Sequence, residues 1–260
     1  CSDHVVNKIQ EITRRSDLTN FHYFPNDCPH REKNGWTADA ALSCEQMLLN
    51  FAPERSLRQW LESIRRAQDE KGALPGIVPT GGWGFAWGNG PAWDNVLFYL
   101  PYFIHKYRWD GAVIRENAHA MLRYLQYIGT RKGVDGLYEV GLGDWCPVGR
   151  KEDEYRAPLR VTDTILVADL AQKAAEMFAA VGLSREGDFA QSLHEETRAA
   201  FRSRLIDRAT LLAEGACQTS QAMALHYGMF EPEETEGAFR QLTALIEAAV
   251  SARSLLAHGY

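Results

Sequence analysis

Long apolar runs are missing from this sequence. None approaches the ~18 residues that a membrane-spanning helix needs, so no transmembrane helix and no membrane partner are expected. Sustained apolar/polar alternation is also missing, which removes a sheet-based fold from consideration. Cysteine is sparse: Cys1, Cys28, Cys44, Cys146 and Cys217 are five in number and widely scattered. That pattern is neither a disulfide framework nor a zinc spacing, so the thiols read as buried or incidental, and no metal or cofactor is expected. Positive charge is short as well, with 28 Lys+Arg against 34 Asp+Glu, a net charge of -6 and a pI near 5.8. The balance argues against nucleic acid as a partner. The first residue is Cys1 and no basic-then-apolar leader follows. The expectation is a piece of a longer protein whose compartment and oligomeric state stay undecided.

What the chain does have is tryptophan in unusual places. Six of its seven tryptophans, Trp36, Trp83, Trp87, Trp93, Trp109 and Trp145, fall in or beside expected loops. Loop tryptophans more often serve recognition of flat apolar faces, such as those of sugars, than core packing.

Helical periodicity dominates the rest. A leading helix is expected over about 4–12, followed by four pairs: 39–51 with 56–68, 93–107 with 111–131, 163–180 with 184–206, and 218–227 with 233–250. Connections within a pair are short, around Pro53, Asp110, Gly182 and Glu231. Those between pairs are long, at roughly 15–37, 71–92, 132–161 and 207–216. In an array of antiparallel hairpins all connections of one kind emerge at one end. The long loops, which hold most of the loop Trp, His and acidic residues, should therefore share a face. Helix 93–107 is apolar on nearly all sides and fits an inner position; 111–131 is amphipathic and fits an outer one. The expected fold is all-α, an (α/α)6 six-hairpin toroid or barrel. Four pairs plus one helix fall short of its twelve, so the expectation is a single catalytic domain over 1–260, with the ring incomplete and the carboxy-terminal helices and any β-domain absent.

The chemistry concentrates in Asp27-Cys28-Pro29-His30-Arg31-Glu32 and Gly35-Trp36-Thr37-Ala38-Asp39. Three carboxylates within thirteen residues repel one another unless they are used. One can keep its proton near neutrality while another is held ionised by a nearby guanidinium. Glycoside hydrolysis asks for this combination, with an acid at the leaving oxygen and carboxylates on the sugar hydroxyls. A merely solvated surface loop would share the same spacing. Gly81 to Gly90 is no phosphate loop, because no strand precedes it and no Lys-Ser/Thr follows. It reads as a pliable tryptophan-bearing loop over a pocket. His105 reads as a core histidine, and His22 and His30 as either hydroxyl donors or structural groups.

The wording of the 27–39 motif resembles the signature of glycoside hydrolase family 78, the α-L-rhamnosidases. The resemblance extends to Tyr23-Phe24-Pro25, to Trp93-Asp94 opening an inner helix, to Gly143-Asp144-Trp145 and to Gln218-Thr219. Departures are Asn34, Ala38 and a one-residue shortening between Arg31 and Gly35. The resemblance implies an inverting hydrolase acting on a rhamnose-containing glycoside, with Glu32 as general acid. It implies that Asp27, Arg31 and Asp39 bind rhamnose hydroxyls, and that Trp36, Trp93 and Trp145 line the pocket with Asp94 and Asp144 as further substrate ligands. The general base in the family lies late in the barrel, so here it is expected beyond Tyr260, leaving Glu139 and Asp144 as in-chain alternatives. Competing readings are another six-hairpin glycosidase, such as an unsaturated glucuronyl hydrolase or a glucosidase, and a non-catalytic sugar-binding fragment.

Overall fold

The computed structural model describes residues 1–85, 87–145, 147 and 155–257, the side chains of 250–257 excepted. The chain divides into two compact units, 1–130 with 173–190, and 131–172 with 191–260.

The first unit holds α1 (His4–Thr19), α2 (Thr37–Asn50), α3 (Glu54–Ala67), α4 (Pro91–Asp94), α5 (Val96–Arg108) and α6 (Gly111–Gly129). It also takes one end each of α7 (Leu159–Ala180) and α8 (Ser184–Arg204). Helix α5 packs on α2, α3 and α6 and buries Val96, Leu97, Phe98, Leu100, Pro101 and Ile104, as its all-round apolar character dictates. Its neighbour α6 buries Val113, Ile114, Asn117, Met121, Tyr124, Leu125 and Ile128, one stripe at three- and four-residue spacing. Helix α3 does the same with Leu57, Trp60, Leu61 and Ile64. The short connections fall where breakers stand. Trp109 closes α5 in the left-handed region, and the Asp110 carboxylate then caps α6 by accepting from the Ala112 N–H at 3.0 Å.

The second unit gathers the other ends of α7 and α8, a hairpin of β1 (Ile206–Asp207) and β2 (Leu212–Ala213), α9 (Gln218–His226) and α10 (Thr235–Ala257). Leu137, Val161, Ile165, Phe201, Leu205, Met229 and Phe230 belong to its core. Fully buried Gln221 ties the parts together. Its carbonyl accepts from Ala213 N–H at 2.9 Å, and its amide donates to Leu211 O at 2.9 Å and Ala238 O at 3.0 Å.

Three elements differ from the sequence expectation. Helix α1 runs seven residues further than expected, because nothing in 13–19 breaks a helix and Asp17 is anchored by the Gln46 amide. The expected helix from Trp93 is split at Asn95 into α4 and α5, after a Gly90-Pro91 start that fixes the first turn. The loop expected over 207–216, together with Ile206 from the end of the expected helix, forms the β-hairpin. Its two-residue strands are too short to show alternation, and its turn is set by the Asp207 carboxylate accepting from Ala209 N–H at 2.8 Å.

Candidate functional site

The two long loops of the first unit meet. Trp36 bridges to Ile77, Val78 N–H donates to Gly35 O at 2.9 Å, and Thr37 donates to Gly76 O through both its N–H (2.9 Å) and its hydroxyl (3.0 Å). The Trp60 indole closes the layer from below, donating to Val78 O at 2.8 Å. This ladder needs glycine at 76, where a Cβ would fall on the carbonyl oxygen of Gly88, and at 88, where it would enter the Trp36 ring.

On that base the motif 27–39 takes a defined form. One Asp27 oxygen accepts from Asn34 N–H at 2.9 Å and the other from the Cys28 thiol at 2.8 Å. The same sulfur accepts from Glu32 N–H at 3.1 Å, so one thiol joins the two acidic positions. The Glu32 side chain is exposed, and its Oε2 accepts from the Trp36 indole at 2.8 Å. Arg31 stands at the surface without a carboxylate partner among the described residues, so the guanidinium–carboxylate pairing considered for this loop is not formed. Asp39 lies in the first turn of α2, and its side chain reaches solvent between walls that withhold much of the water. That desolvation, then the charge of Asp27 and more weakly that of Glu32, raises its pKa; its own backbone N–H acts the other way.

Trp36 is buried and central to an aromatic cluster, with ring centroids 5.4 Å from Trp87, 6.2 Å from Trp83 and 6.4 Å from Trp93. Trp93 is half-buried beside Asp94, which is placed differently from the other expected sugar ligands. The Asp94 carboxylate is buried, accepting from the Tyr124 hydroxyl at 2.9 Å and Gly90 N–H at 3.1 Å. As placed, it fixes the turn that carries Trp93.

Burial, opposed by those two hydrogen bonds, raises the Asp94 pKa well above its ordinary value of 3.8. The folded chain therefore holds this proton to higher pH than the unfolded chain. Stability from the group is full below about pH 4 and is lost as pH rises through the raised value. Asp94→Asn keeps an acceptor for Tyr124 and Gly90 and removes the titration. Its melting temperature should gain on that of the unsubstituted chain as pH rises above about 4. A gap that stays constant from pH 4 to pH 8 in calorimetric scans, a window set by the direction of the shift, would reject this account.

Sequence reading missed a polar cavity of about 140 Å³ lined by Asp17, Asn20, Asn26, Asp27, Asp39 and Ser43 among others. Burial raises the Asp17 pKa, and one carboxylate oxygen of Asp17 and the side-chain carbonyls of Asn20 and Asn26 are buried without hydrogen-bond partners. Asp17 and Asn20 could be found only once α1 was extended past residue 12.

In the second unit the loop before α7 meets the start of α9. Asp144 is half-buried and accepts from Thr219 Oγ at 3.3 Å and Ala157 N–H at 3.4 Å. Trp145 is exposed. Glu139 points to solvent between buried Tyr138 and Val140. Cys146 lies outside the described residues.

Residues 1–254 match the family model described as the bacterial alpha-L-rhamnosidase 6 hairpin glycosidase domain. Among curated proteins the chain is similar to an alpha-L-rhamnosidase of Formosa agariphila, 28% identical over 254 residues, covering 91% of this chain and 26% of that protein. It is also similar to an alpha-L-rhamnosidase of Alteromonas sp. (strain LOR), 23% identical over 94% of this chain and 27% of that one. Among solved structures it is similar to the Streptomyces avermitilis alpha-L-rhamnosidase complexed with L-rhamnose, with a TM-score of 0.85 and 24% identity over 95% of this chain and 23% of that chain. The native Aspergillus terreus enzyme gives a TM-score of 0.87 at 19% identity over 96% of this chain and 30% of that chain. These likenesses show the fold, the all-α six-hairpin type expected from the alternation of loop lengths. The chain spans about a quarter of the length of the curated relatives it matches.

Proposed function

We propose that this chain, which belongs to the bacterial α-L-rhamnosidase six-hairpin glycosidase domain family, carries the proton-donating side of an inverting hydrolase that releases terminal α-L-rhamnose from glycosides. In this proposal residues 1–260 form part of one α/α-barrel catalytic domain. The observation that carries the reading is the Trp36 indole holding the Glu32 carboxyl at 2.8 Å, in the same loop as Asp27 and at the head of the helix that presents Asp39.

Protonated Glu32 gives its proton to the glycosidic oxygen as the bond to the sugar carbon breaks. Water attacks that carbon from the opposite face, and a second carboxylate about 6.5–9.5 Å away accepts the proton that water loses. Asp27, Arg31 and Asp39 take sugar hydroxyls, and the raised pKa of Asp39 suits it to donate as well as accept. Trp36 and Trp93 supply flat apolar walls. Asp94 acts from beneath, through the Gly90 turn. Asp144 and Trp145, in the second unit, are proposed as further substrate ligands, and the water-activating carboxylate is not assigned to a residue of this chain.

The test follows product stereochemistry by proton NMR as an aryl α-L-rhamnoside is cleaved by the protein that carries this chain. β-L-Rhamnose should appear first and mutarotate afterwards. An α-anomer appearing first excludes inversion, and cleavage of a β-glucuronide or α-glucoside in place of the rhamnoside excludes the substrate. Trp36→Phe keeps an aromatic ring and removes the N–H. It should lower kcat by up to about tenfold with little change in KM, since a hydrogen bond to an uncharged carboxyl contributes about 0.5–1.5 kcal/mol. An unchanged kcat would show that the indole does not position the acid.

A further inference from the structure

Around the polar cavity at the end of α1, the buried side-chain atoms without partners are all oxygens. The loop after α1 closes on itself, with Asn26 N–H donating to Asn20 O at 2.8 Å and Phe21 bridging to Pro25. That closure sets Asn20 and Asn26 near the last turn of α1, where Asp17 lies, and all line the same cavity of about 140 Å³. Asp17 is 7% exposed and Asn26 6% exposed. One Asp17 oxygen accepts from the Gln46 amide, while Asp17 Oδ2, Asn20 Oδ1 and Asn26 Oδ1 are buried without partners. The amide nitrogens are already engaged: Asn20 Nδ2 donates to Ser16 O at 3.0 Å and Asn26 Nδ2 to Cys28 O at 3.4 Å. Turning either amide over would set oxygen against oxygen, so the orphaned atoms are acceptors.

Three acceptors and no donor call for an occupant that donates only or carries positive charge. A water brings two protons to the three oxygens and no charge. Charge is what the place lacks, since no Lys or Arg acts on Asp17 or on Asp39, which also lines the cavity. Among the described residues no group of three or more His, Cys, Asp or Glu side chains is placed to hold a metal ion, so a soft metal has no site. One carboxylate and two amide carbonyls instead suit a hard cation that completes its shell with water, as Ca²⁺ does with its ~6–8 oxygens in flexible geometry. We propose that Asp17, Asn20 and Asn26 hold a Ca²⁺-type cation in this cavity, a site that cysteine spacing has no means of announcing. The ion would tie the end of α1 to the loop leading into the acidic motif and offset the repulsion of Asp27 on Asp39. The inference stands apart from the rhamnoside reading, because none of its ligands has a part in the reaction above.

Calorimetric titration of the chelator-treated full chain with CaCl₂, and separately with MgCl₂, tests it. Ca²⁺ should bind at one site with a dissociation constant of about 10⁻⁴–10⁻³ M, the range of weak oxygen sites. Mg²⁺ demands near-ideal octahedral ligands and should bind at least about tenfold more weakly. Asp17→Asn keeps an acceptor for Gln46 and removes the charge, so it should weaken Ca²⁺ binding about tenfold. Asn26→Asp exchanges an amide for a carboxylate at nearly constant volume. In chelator it should melt below the unsubstituted chain, because it buries an uncompensated charge. In about 10 mM Ca²⁺ it should recover, and its Ca²⁺ affinity should exceed that of the unsubstituted chain. Absence of Ca²⁺ binding to the unsubstituted chain overturns the inference. An affinity unchanged in both variants also overturns it, because the ion would then sit elsewhere. Equal affinity for Mg²⁺ does the same, as the mark of diffuse attraction to a chain of net charge -6. If Asp17→Asn fails to fold, the Asn26→Asp comparison decides alone.

Discussion

Glu32→Gln should cut turnover of an alkyl α-L-rhamnoside by about 10²–10⁴, the range in which a positioned proton donor contributes. The amide oxygen of Gln can still accept from the Trp36 indole, so the side chain should keep its place and only the transferable proton is lost. L-Rhamnose affinity should then change little, which separates loss of chemistry from loss of binding. The defect should shrink for a nitrophenyl leaving group, which departs as a stable anion and asks less of the acid. Steady-state kinetics on the alkyl and nitrophenyl substrates test this in the protein that carries the chain. An equal defect on both would mean that Glu32 acts on the sugar and not on the leaving oxygen, and full activity on both would remove it from the mechanism.

The second large effect is structural. Gly76→Ala puts a methyl group where the Gly88 carbonyl oxygen stands, and neither backbone can yield without breaking the paired loops. The hydrogen bonds lost would be those from Thr37 to Gly76 O, at the first turn of α2. Destabilisation should exceed about 2 kcal/mol, toward the severe end of single substitutions. The Trp36 cluster should loosen at the same time. Urea titration followed by tryptophan fluorescence reads both, as a lower midpoint and a red-shifted native spectrum. A variant with unchanged midpoint and native emission would show that the two loops do not depend on this contact.

The helices were legible because burial writes itself into sequence at a fixed period. The all-round apolar 93–107 packs on three neighbours as α5, and the stripe in 111–131 is the buried face of α6. Their boundaries followed Asp110 and Gly182, residues whose local chemistry stops or starts a helix. The second half of α1 was not legible, since Arg14, Arg15, Ser16 and Asp17 show no stripe, and the partner of buried Asp17 is Gln46, 29 positions away. At the site, the motif marked the acidic loop but not its wiring. Asp27, Glu32 and Asp39 were found by type and spacing. That a thiol joins Asp27 to Glu32, or that Trp36 is the hub for Trp83, Trp87 and Trp93, depends on contacts between distant segments. Asp94 is a different case. The resemblance implies a sugar ligand, and in the fold one oxygen of its buried carboxylate accepts from both Tyr124 and Gly90, a placement that no local pattern announces.

The crowding at the two loop glycines also bears on how this sequence can vary. At residue 76 the obstacle is a main-chain oxygen, which no second substitution can shrink, so the position has no compensating partner. At residue 88 the obstacle is the Trp36 ring, and a smaller residue at 36 would make room. That exchange would give up the indole hydrogen bond to Glu32. Drift at a glycine fifty-six positions from the acid is thereby coupled to the acid's own orientation.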